Sequence, residues 1–209
     1  MALVTAKTLF VHVPKTGGTS VRAMLRAAGV AARESGPFEV EDHYGLPELR
    51  AAHPQIDNGL LTFGFVRHPV AWLKSRWAWG VVTNMGEKVH YVPAAAAHWM
   101  AGCWSDRFEE FAARYLERYA GVYTQTAFAM LGVWTDRPAM RIGHTESLSA
   151  DLASILDEAG EQFDAGAFKT VAQEKKAASG DLAAKCEISA AMQARIAAAE
   201  PLLCERFGY

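Results

Sequence analysis

Residues 8–25 constrain this chain more than any other stretch. Thr8-Leu9-Phe10-Val11-His12-Val13 is apolar and rich in β-branched residues, as suits a buried parallel strand. It runs into Pro14-Lys15-Thr16-Gly17-Gly18-Thr19-Ser20 and then Val21-Arg22-Ala23-Met24-Leu25, where Thr19-Ser20 suits a helix start before alternating apolar residues. The pattern predicts strand, loop and helix. Two glycines allow backbone conformations, and a close ligand approach, that residues with a Cβ resist. Consecutive N–H groups at a helix N-terminus, with a lysine and two hydroxyls beside them, make an anion cradle. A plain turn with a helix cap needs only Gly and Ser/Thr, and leaves the lysine and the doubled hydroxyls unexplained.

A second motif begins at Leu60. Leu60-Leu61-Thr62-Phe63-Gly64-Phe65-Val66 reads as another buried strand, ended by Arg67-His68-Pro69; Val70 to Trp79 then returns to helical spacing. Ser75 stands eight residues after Arg67, about two helical turns along. The planar fork of an arginine can donate two hydrogen bonds to one phosphate, which a lysine cannot.

In the ordinary nucleotide-triphosphate loop the Lys-Ser/Thr pair follows the last glycine, whereas here Lys15 precedes both. The order Pro14-Lys15-Thr16-Gly17-Gly18-Thr19-Ser20 instead resembles the 5′-phosphosulfate loop of sulfotransferases that use 3′-phosphoadenosine 5′-phosphosulfate (PAPS). Phe65-Val66-Arg67-His68-Pro69 through Ser75 is similar to the same family's 3′-phosphate motif, but Trp72 stands where a second arginine is usual; the neighbouring Lys74 is a replacement for that charge only if its different helical position allows. The resemblance implies a three-layer α/β sandwich with a mainly parallel central sheet, a single domain over residues 1–209, and a PAPS-dependent sulfotransferase of the bacterial or carbohydrate-type branch. It implies that Lys15, Thr16, Gly17, Gly18, Thr19 and Ser20 hold the 5′ end, that Arg67 and Ser75 hold the 3′-phosphate, and that Lys175 and Lys176, with Ser179 as a further candidate, close over it. For the two lysines a solvated charge run is an equal alternative. The acceptor would be a small molecule or carbohydrate, and the product adenosine 3′,5′-bisphosphate.

A hydroxyl acceptor must lose a proton, so a base is expected within hydrogen-bond reach. His43 is the candidate: it follows Phe38-Glu39-Val40-Glu41, an expected short strand, and strand carboxyl ends are where ligands bind in open α/β sheets. Ordering of the loop before Leu46 is the competing role. Lys15 is the other catalytic candidate, meeting charge that develops on the leaving phosphate. His12, inside the first strand, is expected to be buried and hydrogen-bonded. A P-loop kinase or hydrolase is opposed by the lysine order and by the lack of a convincing magnesium-binding aspartate; a non-catalytic nucleotide-binding relative gains weight from Trp72.

At 209 residues, half of them apolar, the chain suffices for one α/β core. Its net charge of −2 gives no general basic surface for nucleic acid, so an anion site must come from local arrangement. Cys103, Cys186 and Cys204 are odd in number and lack metal spacing, which points to free thiols in a reducing compartment; no metal is expected. No run of about 18 apolar residues appears, so the expectation is a soluble, cytoplasmic protein without a membrane partner. The sequence carries no signal of oligomeric state.

Elsewhere the reading is coarser. A first helix ends near Gly29, residues 31–36 form a loop, and residues 46–53 a short helix. Five of the six tryptophans, Trp72, Trp77, Trp79, Trp99 and Trp104, fall in one stretch and make either an aromatic acceptor wall or core. Residues 84–93 read as an acceptor-side loop, with His90 and His98 as lesser candidates. Ser105-Asp106 is expected to cap a helix to Tyr119, and another spans residues 123–131. A strand over residues 139–143 leads into His144-Thr145-Glu146-Ser147-Leu148, which resembles the family's Glu-x-Leu turn, and a helix over residues 149–159 closes at Gly160. The last helix starts near Ser189 and is interrupted at Pro201. The ending Phe207-Gly208-Tyr209 also resembles C-termini of the carbohydrate-type branch.

Overall fold

A computed structural model describes residues 2–35, 45–52, 59–82, 100, 102–133, 140–176 and 184–209. The chain divides into two compact units, Met1–Arg67 with Thr126–Ala178, and His68–Gln125 with Ser179–Tyr209.

The first unit is built on a five-stranded sheet. Its strands are β1 (Ala2–Val4), β2 (Thr8–Val11), β3 (Arg33–Ser35), β4 (Leu61–Val66) and β5 (Met140–His144), in the order β3-β1-β2-β4-β5. β2, β4 and β5 run parallel, with Phe10 opposite Phe63 and Phe65 opposite Gly143. β1 is antiparallel to both β2 and β3. The sheet is therefore mixed rather than mainly parallel. Only three residues join β1 to β2, too few for a parallel crossover, so a hairpin results.

Helices flank the sheet: α1 (Gly18–Ala27), α2 (Leu46–Ala52), the end of α5 (Val122–Leu131), α6 (Leu148–Ala159) and α7 (Ala167–Lys176). Phe10, Phe63 and Phe65 share a buried cluster with Val21, Met24 and Leu25 of α1, Leu152, Ile155 and Leu156 of α6, and Phe168 and Val171 of α7. Successive strand residues face opposite ways, so Gly64 looks to the other side, where Leu131 fills the space a Cβ would need. Gly160, at φ 71°, closes α6 as expected.

Edge strand β3 falls where a loop was expected. Arg33 and Glu34 are exposed, so this strand pairs through its backbone and carries no apolar alternation to reveal it. The expected strand at residues 38–41 and the loop at residues 84–93 lie outside the described residues.

The second unit is helical: α3 (Pro69–Val82), α4 (Phe108–Tyr119), the start of α5, α8 (Ala190–Ala198) and α9 (Pro201–Phe207). Trp72 stacks on Tyr123 with ring centroids 4.2 Å apart and planes within 10°. Trp77 packs beside Phe108 and donates its indole N–H to the Ser105 carbonyl at 2.8 Å. These two tryptophans are core, not acceptor wall. Trp104 lies under Gly80, its ring filling the place of a Cβ, while Trp79 is 41% exposed; Trp99 lies outside the described residues. Ser105 is not the N-cap of α4. Arg107 holds that position, and the Ser105 hydroxyl accepts the Arg107 N–H and pairs with Glu110. Ser189 does cap α8, accepting the Met192 N–H. Among the described residues no helix is long and apolar enough to cross a membrane.

Candidate functional site

Because β2, β4 and β5 are parallel, the chain leaves all three at one edge of the sheet. That edge carries the residues of interest in the first unit. After β2, Pro14 and Lys15 make a turn in which Thr16 donates both its N–H (3.3 Å) and its hydroxyl (2.8 Å) to the Val13 carbonyl. Thr16 is fully buried, and its hydroxyl proton is used inside the loop. Lys15 has φ 68°, a left-handed conformation that disfavours a side chain by about 1 kcal/mol or more. Gly17, at φ 94°, is the N-cap of α1, and its carbonyl accepts the N–H of Ser20 at 2.7 Å and of Val21 at 3.0 Å. The aligned peptide dipoles of α1 give this end of the helix a positive potential. Thr19 is exposed and Ser20 half-buried.

The two glycines serve different ends. Gly17 supplies the positive φ. At Gly18 the space a Cβ would occupy belongs to the imidazole of His12, whose Nε2, Cδ2 and Cε1 would lie 2.2, 2.3 and 2.4 Å from it. His12 is buried, as expected, but stands just beyond β2 and also stacks on Phe10 at 5.7 Å. The histidine thus underpins the start of α1, a pairing that the sequence did not reveal.

After β4, Arg67 reaches back and donates from Nη1 to the Lys15 carbonyl at 3.3 Å. The two motifs quoted from the sequence are joined by that contact. After β5, the Thr145 hydroxyl lies 3.0 Å from the Thr16 carbonyl and 2.9 Å from that of Val66. Thr145 is not among the site residues that the sequence pointed to. Its neighbour His144 gives its N–H to Asp151 at 2.7 Å, and Asp151 also accepts the Ser147 hydroxyl at 2.8 Å. The His144 Nδ1 is 3.9 Å from the same carboxylate. Glu146 is exposed in the turn Thr145–Ser147.

Ser75 is half-buried on α3, in the second unit. Trp72 is a core residue there, and Lys74 lies over the Phe108 ring at 5.7 Å. The buried Arg76, one turn beyond Trp72, stacks its guanidinium on that indole at 5.2 Å. Lys175 and Lys176 end α7 by backbone; their side chains, like His43, His90, His98 and Ser179, lie outside the described residues.

Compared with models of protein families, with curated proteins and with solved structures, the chain matches none.

Proposed function

We propose that the chain is a sulfotransferase that moves a sulfuryl group from PAPS to a hydroxyl or amine of a small-molecule or carbohydrate acceptor. The three-layer, P-loop-like form of the fold and the single-domain organisation belong to the same proposal. The observation that carries it is the Arg67–Lys15 contact, which brings the arginine of the second motif beside the loop of the first, on adjacent parallel strands. A nucleotide with phosphate on both its 3′ and 5′ positions presents two anionic ends, and this edge of the sheet offers two kinds of cationic group to receive them.

The residues fit such a group. Lys15 in a left-handed conformation, Gly17 at positive φ and the positive end of α1 follow one another in the loop, and Lys15 itself carries an ammonium. Thr19 and Ser20 add hydroxyls, while Thr16 holds the turn. A guanidinium has five N–H donors, so the bond from Arg67 to Lys15 is compatible with a 3′-phosphate contact. The nucleotide supplies an activated sulfuryl group. Lys15 and the loop N–H groups stabilise negative charge on the oxygen from which that group departs, by fixed dipoles and one ammonium. Lys175 and Lys176 remain additional nucleotide contacts under this reading, and His43 the proton acceptor.

Calorimetric titration with adenosine 3′,5′-bisphosphate, adenosine 5′-monophosphate, and ATP with and without magnesium tests the proposal. Magnesium-independent binding that requires the 3′-phosphate and weakens about tenfold or more in Arg67→Ala is the expected result. Binding of ATP alone, and only with magnesium, would replace this reading with a kinase or nucleotide hydrolase.

A further inference from the structure

We infer that Thr145 is a positioning residue for the anion loop, aiming the Gly17 N–H and fixing the loop against the Arg67 strand through one hydroxyl. The inference rests on the nucleotide reading above and deepens it. A threonine hydroxyl has one proton to donate, and two carbonyl oxygens, those of Thr16 and Val66, lie within 3.0 Å of it. These carbonyls belong to the peptides that lead into Gly17 and Arg67. In a planar trans peptide the C=O and N–H point in opposite directions, so a Thr16 carbonyl drawn toward Thr145 turns the Gly17 N–H the other way. Thr145 also keeps the Thr16–Gly17 peptide at a set distance from the Val66–Arg67 peptide, the two backbone points from which the candidate anion-binding groups extend. The Arg67–Lys15 bond restrains the same pair of segments one residue away.

The turn has few other ways to adopt this arrangement. Thr145 begins a single turn between β5 and α6, and the first residue of α6, Leu148, packs where a Cβ on Gly17 would lie, at 3.1 Å. The methyl of Thr145 stands 3.6 Å from the same point. Gly17 is thus flanked by one side chain of this turn and one of α6, and its φ of 94° is reachable without strain because it is glycine. Thr145 touches no atom that would react; it acts through the loop.

Protein labelled with ¹⁵N-glycine and titrated with adenosine 3′,5′-bisphosphate tests the role, reading affinity and the Gly17 amide shift together. Thr145→Val keeps the shape and removes the hydroxyl; it should weaken binding about tenfold and reduce the Gly17 response, whereas Thr145→Ser should stay within about twofold of the parent. Should the valine variant not fold, Thr145→Ala reads the same loss. A parent protein that binds the bisphosphate while the valine and alanine variants bind it equally well, with the same Gly17 shift, would overturn this role alone. A serine variant as weak as the valine one would overturn it too, since the hydroxyl would not be what matters. A parent protein that binds no bisphosphate would overturn the nucleotide reading and the role with it.

Discussion

A methyl group on Gly18 would meet three atoms of the His12 ring at 2.2–2.4 Å, closer than a Cβ can sit to any atom, so one of the two residues must move if a side chain is introduced. Gly18→Ala should therefore destabilise the chain by about 1–3 kcal/mol through overpacking. Removing the ring makes room: in the double variant His12→Ala with Gly18→Ala, the added methyl enters space the imidazole has left. Urea unfolding of the two single variants and the double should show the double at least ~1 kcal/mol more stable than additivity requires. Simple additivity would mean that His12 is not what bars a side chain at position 18. The doubled glycine was visible in the sequence as a place of close approach, but which atom approaches was not. His12 and Gly18 are six residues apart across a turn, and no helical or strand periodicity links such a pair. Thr145 was illegible for a related reason: its partners are carbonyl groups, which every residue possesses.

Among the elements, those with a strong apolar period were legible. β2, β4, α1, α4 and α6 lie within two or three residues of their expected bounds, because each buries a face that the sequence spells out. β3 was not, because it pairs through its backbone and carries no apolar alternation. α5 also starts within one residue of its expected bound, but what caps it was not legible: the buried Glu200, the residue before α9, accepts the N–H groups of Tyr123 (3.3 Å) and Thr124 (2.8 Å) and the Thr124 hydroxyl. A carboxylate from a distant segment thereby caps a helix whose N-cap, Gly121, has no side chain. Glu200→Ala should cost about 2 kcal/mol in urea unfolding, since buried N–H groups lose their acceptor. Burial pushes the Glu200 carboxyl above its ordinary range, against the opposing pull of its hydrogen bonds. The folded chain thus holds this proton more tightly than the unfolded one. The stabilisation from protonation is fully present below the ordinary value of 4.5 and is lost as pH rises through the folded value. Stability relative to Glu200→Gln should accordingly fall over the pH interval that opens at the ordinary carboxyl value of 4.5. A rise over that interval would reverse the assigned direction.

At the scale of the whole molecule, the two motifs meet because the topology makes them meet. β2 and β4 are separated by some fifty residues but lie side by side and parallel, so the loop after one and the arginine after the other share an edge. That much was legible, since each motif began at the end of an apolar run. The mixed character of the sheet was less so: it depends on β1, three residues long, and on the brevity of the turn that follows. Trp72 shows the limit from the other side. Read against a family pattern it is a missing arginine; packed against Tyr123 it is a core residue of the helical unit, and a charge in its place would be buried. If the sheet edge is a nucleotide site, binding there must also stabilise the fold. Adenosine 3′,5′-bisphosphate at a hundred times its Kd should add about 2.7 kcal/mol to unfolding and raise the melting temperature, with adenosine 5′-monophosphate at the same concentration giving a smaller shift. In Arg67→Ala the difference between the two nucleotides should largely vanish, because the group that distinguishes them has lost its guanidinium. Equal shifts from both nucleotides in the parent protein would assign the edge to a single phosphate and leave Arg67 as the support of Lys15 alone.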